Sequence, residues 1–207
     1  MTAPRIHRHE WERQYESGRW DYLEDQDEID RYALISQDVR SYRAGSVLDL
    51  GCGSGVLYRT LIADGFRGTY LGVDWSLGSL PRCAEHSIHR FVCGDLNRLP
   101  VRGTFDAIVL SEVLYYLEDP ARTIRELTTM ISSEGVLLAS IYQPRAGRSS
   151  PWLDTVHELD VLLREAGAER REVFSVSRRG RIWAHYALSP KKNLSGSLIP
   201  SATGGEQ

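Results

Sequence analysis

"VLDLGCGSG", residues 47–55, is the stretch whose reading decides the fold. Val47, Leu48 and Leu50 are apolar with Asp49 as the single polar interruption, the composition of a short strand buried on both faces. Gly51, Gly53 and Gly55 then alternate with Cys52 and Ser54, a turn that no side chain crowds. The apolar run from Val56 to Ile62 follows at helical spacing. A strand, a glycine turn and a helix in succession bring backbone amides against a nucleotide-like ligand.

Outward from this unit, strands are read at Val47–Leu50, Tyr70–Val73, Phe91–Cys93, Ala107–Leu110 and Val136–Ile141. Helices are read between them at Leu57–Ala63, Leu77–Glu85 and Ala121–Ile131, with Pro81 denting the second. Such alternation predicts a parallel sheet covered by helices on both faces. Leu153–Ala166 is a further helix with Gly167 at its C-cap, and "RREVFSVSRRGRIWAHYALS", residues 170–189, reads as an antiparallel hairpin. The expected fold is therefore α/β: a Rossmann-like, doubly wound, mostly parallel seven-stranded sheet ending in a C-terminal antiparallel hairpin.

Ile29, Tyr32, Ala33, Ile35 and Val39 recur at helical spacing in a polar, aromatic leader, so residues 1–45 are expected to form a helical lid. Residues 46–189 form the ligand-binding domain, and the Gly/Ser/Pro-rich residues 190–207 are expected to be disordered.

At 207 residues the chain suits one domain, and a net charge of −3 offers no global attraction to nucleic acid or an anionic membrane. Cys52, Cys83 and Cys93 are an odd set without a CxxC pair, which suggests neither a disulfide framework nor a zinc site. No apolar run approaches the ~20 residues of a membrane span, and "MTAPRIHRHE" lacks a signal-peptide core. The expected compartment is the cytoplasm.

The spacing GxGxG departs from the GxGxxG of dinucleotide folds. Asp49-Leu50-Gly51-Cys52-Gly53-Ser54-Gly55 resembles the (D/E)xGxGxG motif of the class I S-adenosylmethionine-dependent methyltransferases, and the resemblance runs over about residues 45–189. "LGVDWS", "CGDLNRLP", "FDAIVLSEVLYYLED" and "SSEGVLLASIY" follow in the family's order at successive strand ends. The resemblance implies that Asp74 grips the ribose hydroxyls of the donor and that Asp95 accepts from the adenine amino group, with the Leu96 amide beside the ring. It also implies donor contacts from Asp49, Gly51, Cys52, Gly53, Gly55, Trp75 and Ser111. Trp20 and Arg31 are candidates to cover the methionine end, because a guanidinium pairs with a carboxylate.

"SEVLYYLED" is similar to small-molecule members resembling the nodulation N-methyltransferase and to natural-product enzymes. The implied acceptor is a hydroxyl of a small molecule such as a sugar or natural product, in a monomer or homodimer. The alternative is N-methylation of a small amine or amino sugar. Glu112, His157 and Tyr115 are the candidate catalytic residues, with Tyr142, Gln143 and Trp152 beside the acceptor and Arg145 and Arg148 in a covering loop. No ligand cluster marks a metal, although carboxylates from separate loops could hold a divalent ion without leaving a signature. A nicotinamide-dependent oxidoreductase fits the glycine spacing poorly, and a non-catalytic protein of the same fold is the rival from another class.

Overall fold

In the computed structural model, residues 6–81, 88–144, 151–166, 169–177 and 179–189 are described. Seven strands form one sheet: β1 (Ser46–Leu50), β2 (Thr69–Asp74), β3 (His89–Cys93), β4 (Phe105–Ser111), β5 (Ile131–Gln143), β6 (Glu169–Val176) and β7 (Ile182–Ser189). Their order is β3-β2-β1-β4-β5-β7-β6. β1 pairs in parallel with β2 and β4, and β7 is antiparallel to both β5 and β6. The expected parallel sheet with a closing hairpin is therefore the observed one.

Among the described residues five α-helices accompany it: α1 (Arg8–Glu16), α2 (Gln26–Ser41), α3 (Val56–Ala63), α4 (Pro120–Thr128) and α5 (Pro151–Ala166). Alternate strand residues divide the core between the sheet's two faces. Val47, Ala107, Val109 and Val136 face Tyr32, Ile35 and Val39 of α2 and Leu57 and Leu61 of α3. Leu48, Leu50, Ile108, Leu110 and Leu137 face Ile124 and Leu127 of α4 and Val156, Leu159 and Leu163 of α5. Since β1 leads to β2 on one side and lies against β4 on the other, the strand order reverses there. Open sheets of this kind bind ligands at that point, beyond the strands' C-terminal ends.

Four local departures have physical causes. α2 belongs to the core, so what lies over the strand ends is α1 and the 3-10 turn Asp21–Glu24 rather than the whole of residues 1–45. Leu77–Leu80 is a turn and not the start of a helix, because a residue preceding proline disfavours the helical conformation. α4 stops at Thr128 rather than Ile131, where the Thr128 and Thr129 hydroxyls each donate to a main-chain carbonyl, of Arg125 and Glu126, at 2.7 Å. β5 accordingly begins at Ile131 opposite Phe105, and its register then jumps, so that Val136 lies opposite Ala107. Residues 82–87, 167–168 and 190–207 lie outside the described residues, and with them Glu85, the Gly167 cap and the tail. Among the described residues no helix is long and apolar enough to cross a membrane.

Candidate active site

The C-terminal ends of β1, β2, β3 and β4 open on a cavity of about 490 Å³. Gly51 and Gly53 supply backbone to its wall, at φ +80° and +51° in the left-handed region that side chains rarely tolerate. A Cβ on Gly53 would stand 2.7 Å from the Tyr15 hydroxyl oxygen, and one on Gly51 would stand 2.8 Å from Val113 Cγ2. The amides of Gly51 and Cys52 donate to the Val73 carbonyl at 2.7 and 3.1 Å, tying the turn to β2. This is why the chain needs glycine here: the main chain itself forms the wall.

Asp74, at the tip of β2, is buried and accepts from the Gly53 amide through Oδ2 and from the Ser76 amide through Oδ1, both at 2.9 Å. Burial pushes its carboxyl pKa up, with those amides opposing. Asp95, after β3, accepts through Oδ1 from the Asn97 amide at 2.9 Å and from Asn97 Nδ2 at 3.1 Å. Asn97 Oδ1 in turn accepts from the Glu118 amide at 2.8 Å, joining the loops after β3 and β4.

A buried ionic chain forms a second wall. Arg31 is 1% exposed; its Nη2 pairs with Glu28 Oε2 at 3.0 Å and its Nη1 donates to the Ser111 hydroxyl. Glu28 also accepts from Arg181 Nη1 at 2.6 Å, reaching from the β6–β7 turn. Burial works against the Arg31 charge, but Tyr32, Glu112 and Glu28 outweigh it and raise its pKa. Both Arg31 Nε and the Trp20 indole nitrogen are buried without a hydrogen-bond partner among the described residues.

Glu112 leaves β4 at φ +61°, a left-handed conformation for a residue that is not glycine. Its amide donates to the Ser140 carbonyl at 3.1 Å and its Oε1 accepts from the Tyr115 hydroxyl at 2.8 Å. That hydroxyl accepts in turn from the Tyr142 amide at 2.6 Å. Burial lifts the Glu112 pKa to about 7, with Arg31 and Tyr115 pulling the other way.

Residues 48–139 match the methyltransferase domain family. That stretch, just under half of the chain, is similar to a methyltransferase domain. A malonyl-[acyl-carrier protein] O-methyltransferase of Halalkalibacterium halodurans is 30% identical over 122 residues, 55% of this chain and 42% of that protein. The chain spans less than half the length of the curated relatives it matches. The N-methyltransferase NodS of Bradyrhizobium japonicum WM9, in complex with S-adenosyl-l-homocysteine, aligns with a TM-score of 0.57 at 18% identity, covering 82% of this chain and 91% of its own. The [4+2]-cyclase SpnF aligns with a TM-score of 0.62 at 17% identity, covering 92% and 99%. The resemblance to class I S-adenosylmethionine-dependent methyltransferases, near their small-molecule members, is borne out.

Around the cavity the structure brings together Trp20, Arg31, Gly51, Cys52, Gly53, Asp74, Trp75, Asp95, Leu96, Ser111, Glu112 and Tyr115, with Tyr142 and Trp152. It does not bring Asp49, Gly55, Gln143 or His157 to the wall. Asp49 shares the β1 face of Val47, accepts from the Tyr70 hydroxyl and is 2% exposed, so it braces the sheet beneath the turn. Gly55 packs under Pro81 Cγ, which a Cβ would meet at 2.7 Å. His157 is exposed, because α5 turns Val156, Leu159 and Leu163 to the core and leaves His157 on the outer face. Arg145 and Arg148 lie outside the described residues.

Sequence reasoning missed Trp11, Glu28, Asn97, Arg181 and Trp183, all in the wall. The i,i+3 spacing of Glu28 and Arg31 was a readable signal. Arg181 had none, since its partner lies 153 positions away. Among the described residues no group of three or more His, Cys, Asp or Glu side chains could hold a metal.

Proposed function

We propose that this chain transfers the methyl group of S-adenosylmethionine to a hydroxyl of a small molecule. The observation that carries the reading is convergence: glycine-turn backbone, Asp74 and Asp95 reach one cavity from three neighbouring strand ends within a methyltransferase domain. The cavity's unpartnered donors, Trp20 Nε1 and Arg31 Nε, call for an acceptor such as the donor's carboxylate. Asp74, with lone pairs beyond those its two amides use, holds the ribose hydroxyls; Asp95 and the Leu96 amide hold the adenine. When bound, S-adenosylmethionine supplies an electrophilic methyl on a sulfonium. The chain's own part is to orient the acceptor, exclude water and hold the departing proton at Glu112. The name of the Halalkalibacterium relative, an O-methyltransferase, supports oxygen as the target atom.

Calorimetric titration with S-adenosylhomocysteine is expected to show one site per chain. Asp74→Ala is expected to weaken it at least ~100-fold, about 2.7 kcal/mol, since a charge-assisted acceptor and the brace on Gly53 are lost together. Saturable binding of a nicotinamide dinucleotide instead would sink the reading. Binding without turnover on any hydroxyl or amine would make the chain a non-catalytic member of the fold.

A further inference from the structure

Six aromatic rings line the cavity in unbroken series: Trp152, Tyr115, Tyr116, Trp11, Trp20 and Tyr22. Successive ring centroids stand 4.7, 5.8, 4.9, 5.5 and 6.0 Å apart. The belt draws on α5, the turn after β4, α1 and the 3-10 turn ahead of α2. Each ring carries a single polar atom on an otherwise apolar body. The Tyr115 hydroxyl is engaged by Glu112 and the Tyr142 amide, which leaves the Glu112 carboxylate as the group positioned to take a proton.

Two physical constraints narrow the acceptor. A polyol needs a partner for nearly every hydroxyl it buries, whereas ring faces offer flat apolar area. A phenol titrates near 10, about three units above Glu112 at about 7. An aliphatic hydroxyl titrates closer to water, at roughly 15.7, far beyond a carboxylate base.

Building on the methyl-transfer reading, we propose that the acceptor is a planar phenol lying against this belt with its hydroxyl at Glu112. The phenolic O–H gives its proton to a Glu112 carboxylate oxygen. The new O–CH3 bond forms as the methyl–sulfur bond breaks, and the sulfur keeps the bonding pair as a neutral thioether.

The full chain, saturated with S-adenosylhomocysteine, is titrated with a nitrophenol, read by tryptophan fluorescence and by the absorbance of the phenol. Saturable binding is expected, weakened at least ~10-fold in Trp11→Ala. With S-adenosylmethionine, simple phenols are expected to be methylated in preference to a methyl glycoside or an alkyl amine. Glu112→Gln should slow a neutral phenol about 100-fold but a nitrophenol already ionised at the assay pH less than ~10-fold. Retained S-adenosylhomocysteine binding shows that the variant has folded. Preference for the glycoside or the amine, equal losses on both phenols, or no phenol binding by protein that binds S-adenosylhomocysteine would each overturn the proposal. Failure to bind S-adenosylhomocysteine at all would instead defeat the underlying methyl-transfer reading.

Discussion

On the proposed reading Glu112 is the base, and it sits in a backbone conformation that non-glycine residues seldom adopt. As a base it works only when ionised. The kcat/KM for a neutral acceptor should therefore climb as pH rises through about 7 and level off above it, and the step should vanish in Glu112→Gln. Glu28 acts differently: it touches two guanidiniums and is 3% exposed. Glu28→Ala leaves those charges facing each other, and thermal melts should fall by roughly 10 °C, from a loss of about 3–5 kcal/mol. At this scale the sequence was legible where a motif places a side chain beyond a strand's end, and Asp74 and Asp95 both line the cavity. Asp49 lies on the sheet face of Val47 with the Tyr70 hydroxyl and not in the cavity wall, because motif position says nothing about which face of a strand a carboxylate takes. It was silent on Arg181, because only the folded topology brings that residue to Glu28.

Among elements, α1 is held in an unusual way. Gln14 is its one buried residue, so little apolar burial fixes it to the body. Its grip comes from two rims. Glu12 accepts from the Ser76 hydroxyl, the Leu77 amide and the Gly78 amide at 2.7, 2.9 and 3.1 Å, beyond β2. On the other side, Trp11 meets Tyr116 edge to face beyond β4. A nine-residue helix of this kind is marginal without such anchors. Glu12→Ala is expected to speed amide hydrogen exchange across residues 8–16 and hasten S-adenosylhomocysteine release, while the melting temperature moves by less than about 2 °C. α3 and α5 were readable because their apolar stripes face the core. α1 was not, since its aromatic residues line a cavity and its polar ones grip loops, a pattern with no helical period. The turn at Leu77–Leu80 was misread for a related reason: its apolar residues suggested a stripe, but Pro81 disfavours the helical conformation at Leu80.

At the level of the whole molecule, the mostly parallel sheet and its closing hairpin followed from the alternation of strand and helix. The balance of buried carboxyl groups did not, because it depends on packing. Asp49 and Glu112 titrate at about 7 in the folded chain, against ordinary values of 3.8 and 4.5. Burial is the leading cause for both. As pH rises from about 4 the unfolded chain releases these protons first, so the native state holds more protons and stability declines until about 7, then flattens. Melting temperature should therefore be higher at pH 5 than at pH 8, and the decline should be shallower in Asp49→Asn. The antiparallel β7 carries a different consequence. It enters the sheet between two strands that precede it, and with the turn before it brings Arg181 and Trp183 to the ligand's wall. During synthesis, then, the nascent polypeptide has no finished pocket until residue 189 has left the ribosome. The finished wall arrives late and all at once, after the six other strands of the described sheet have been made.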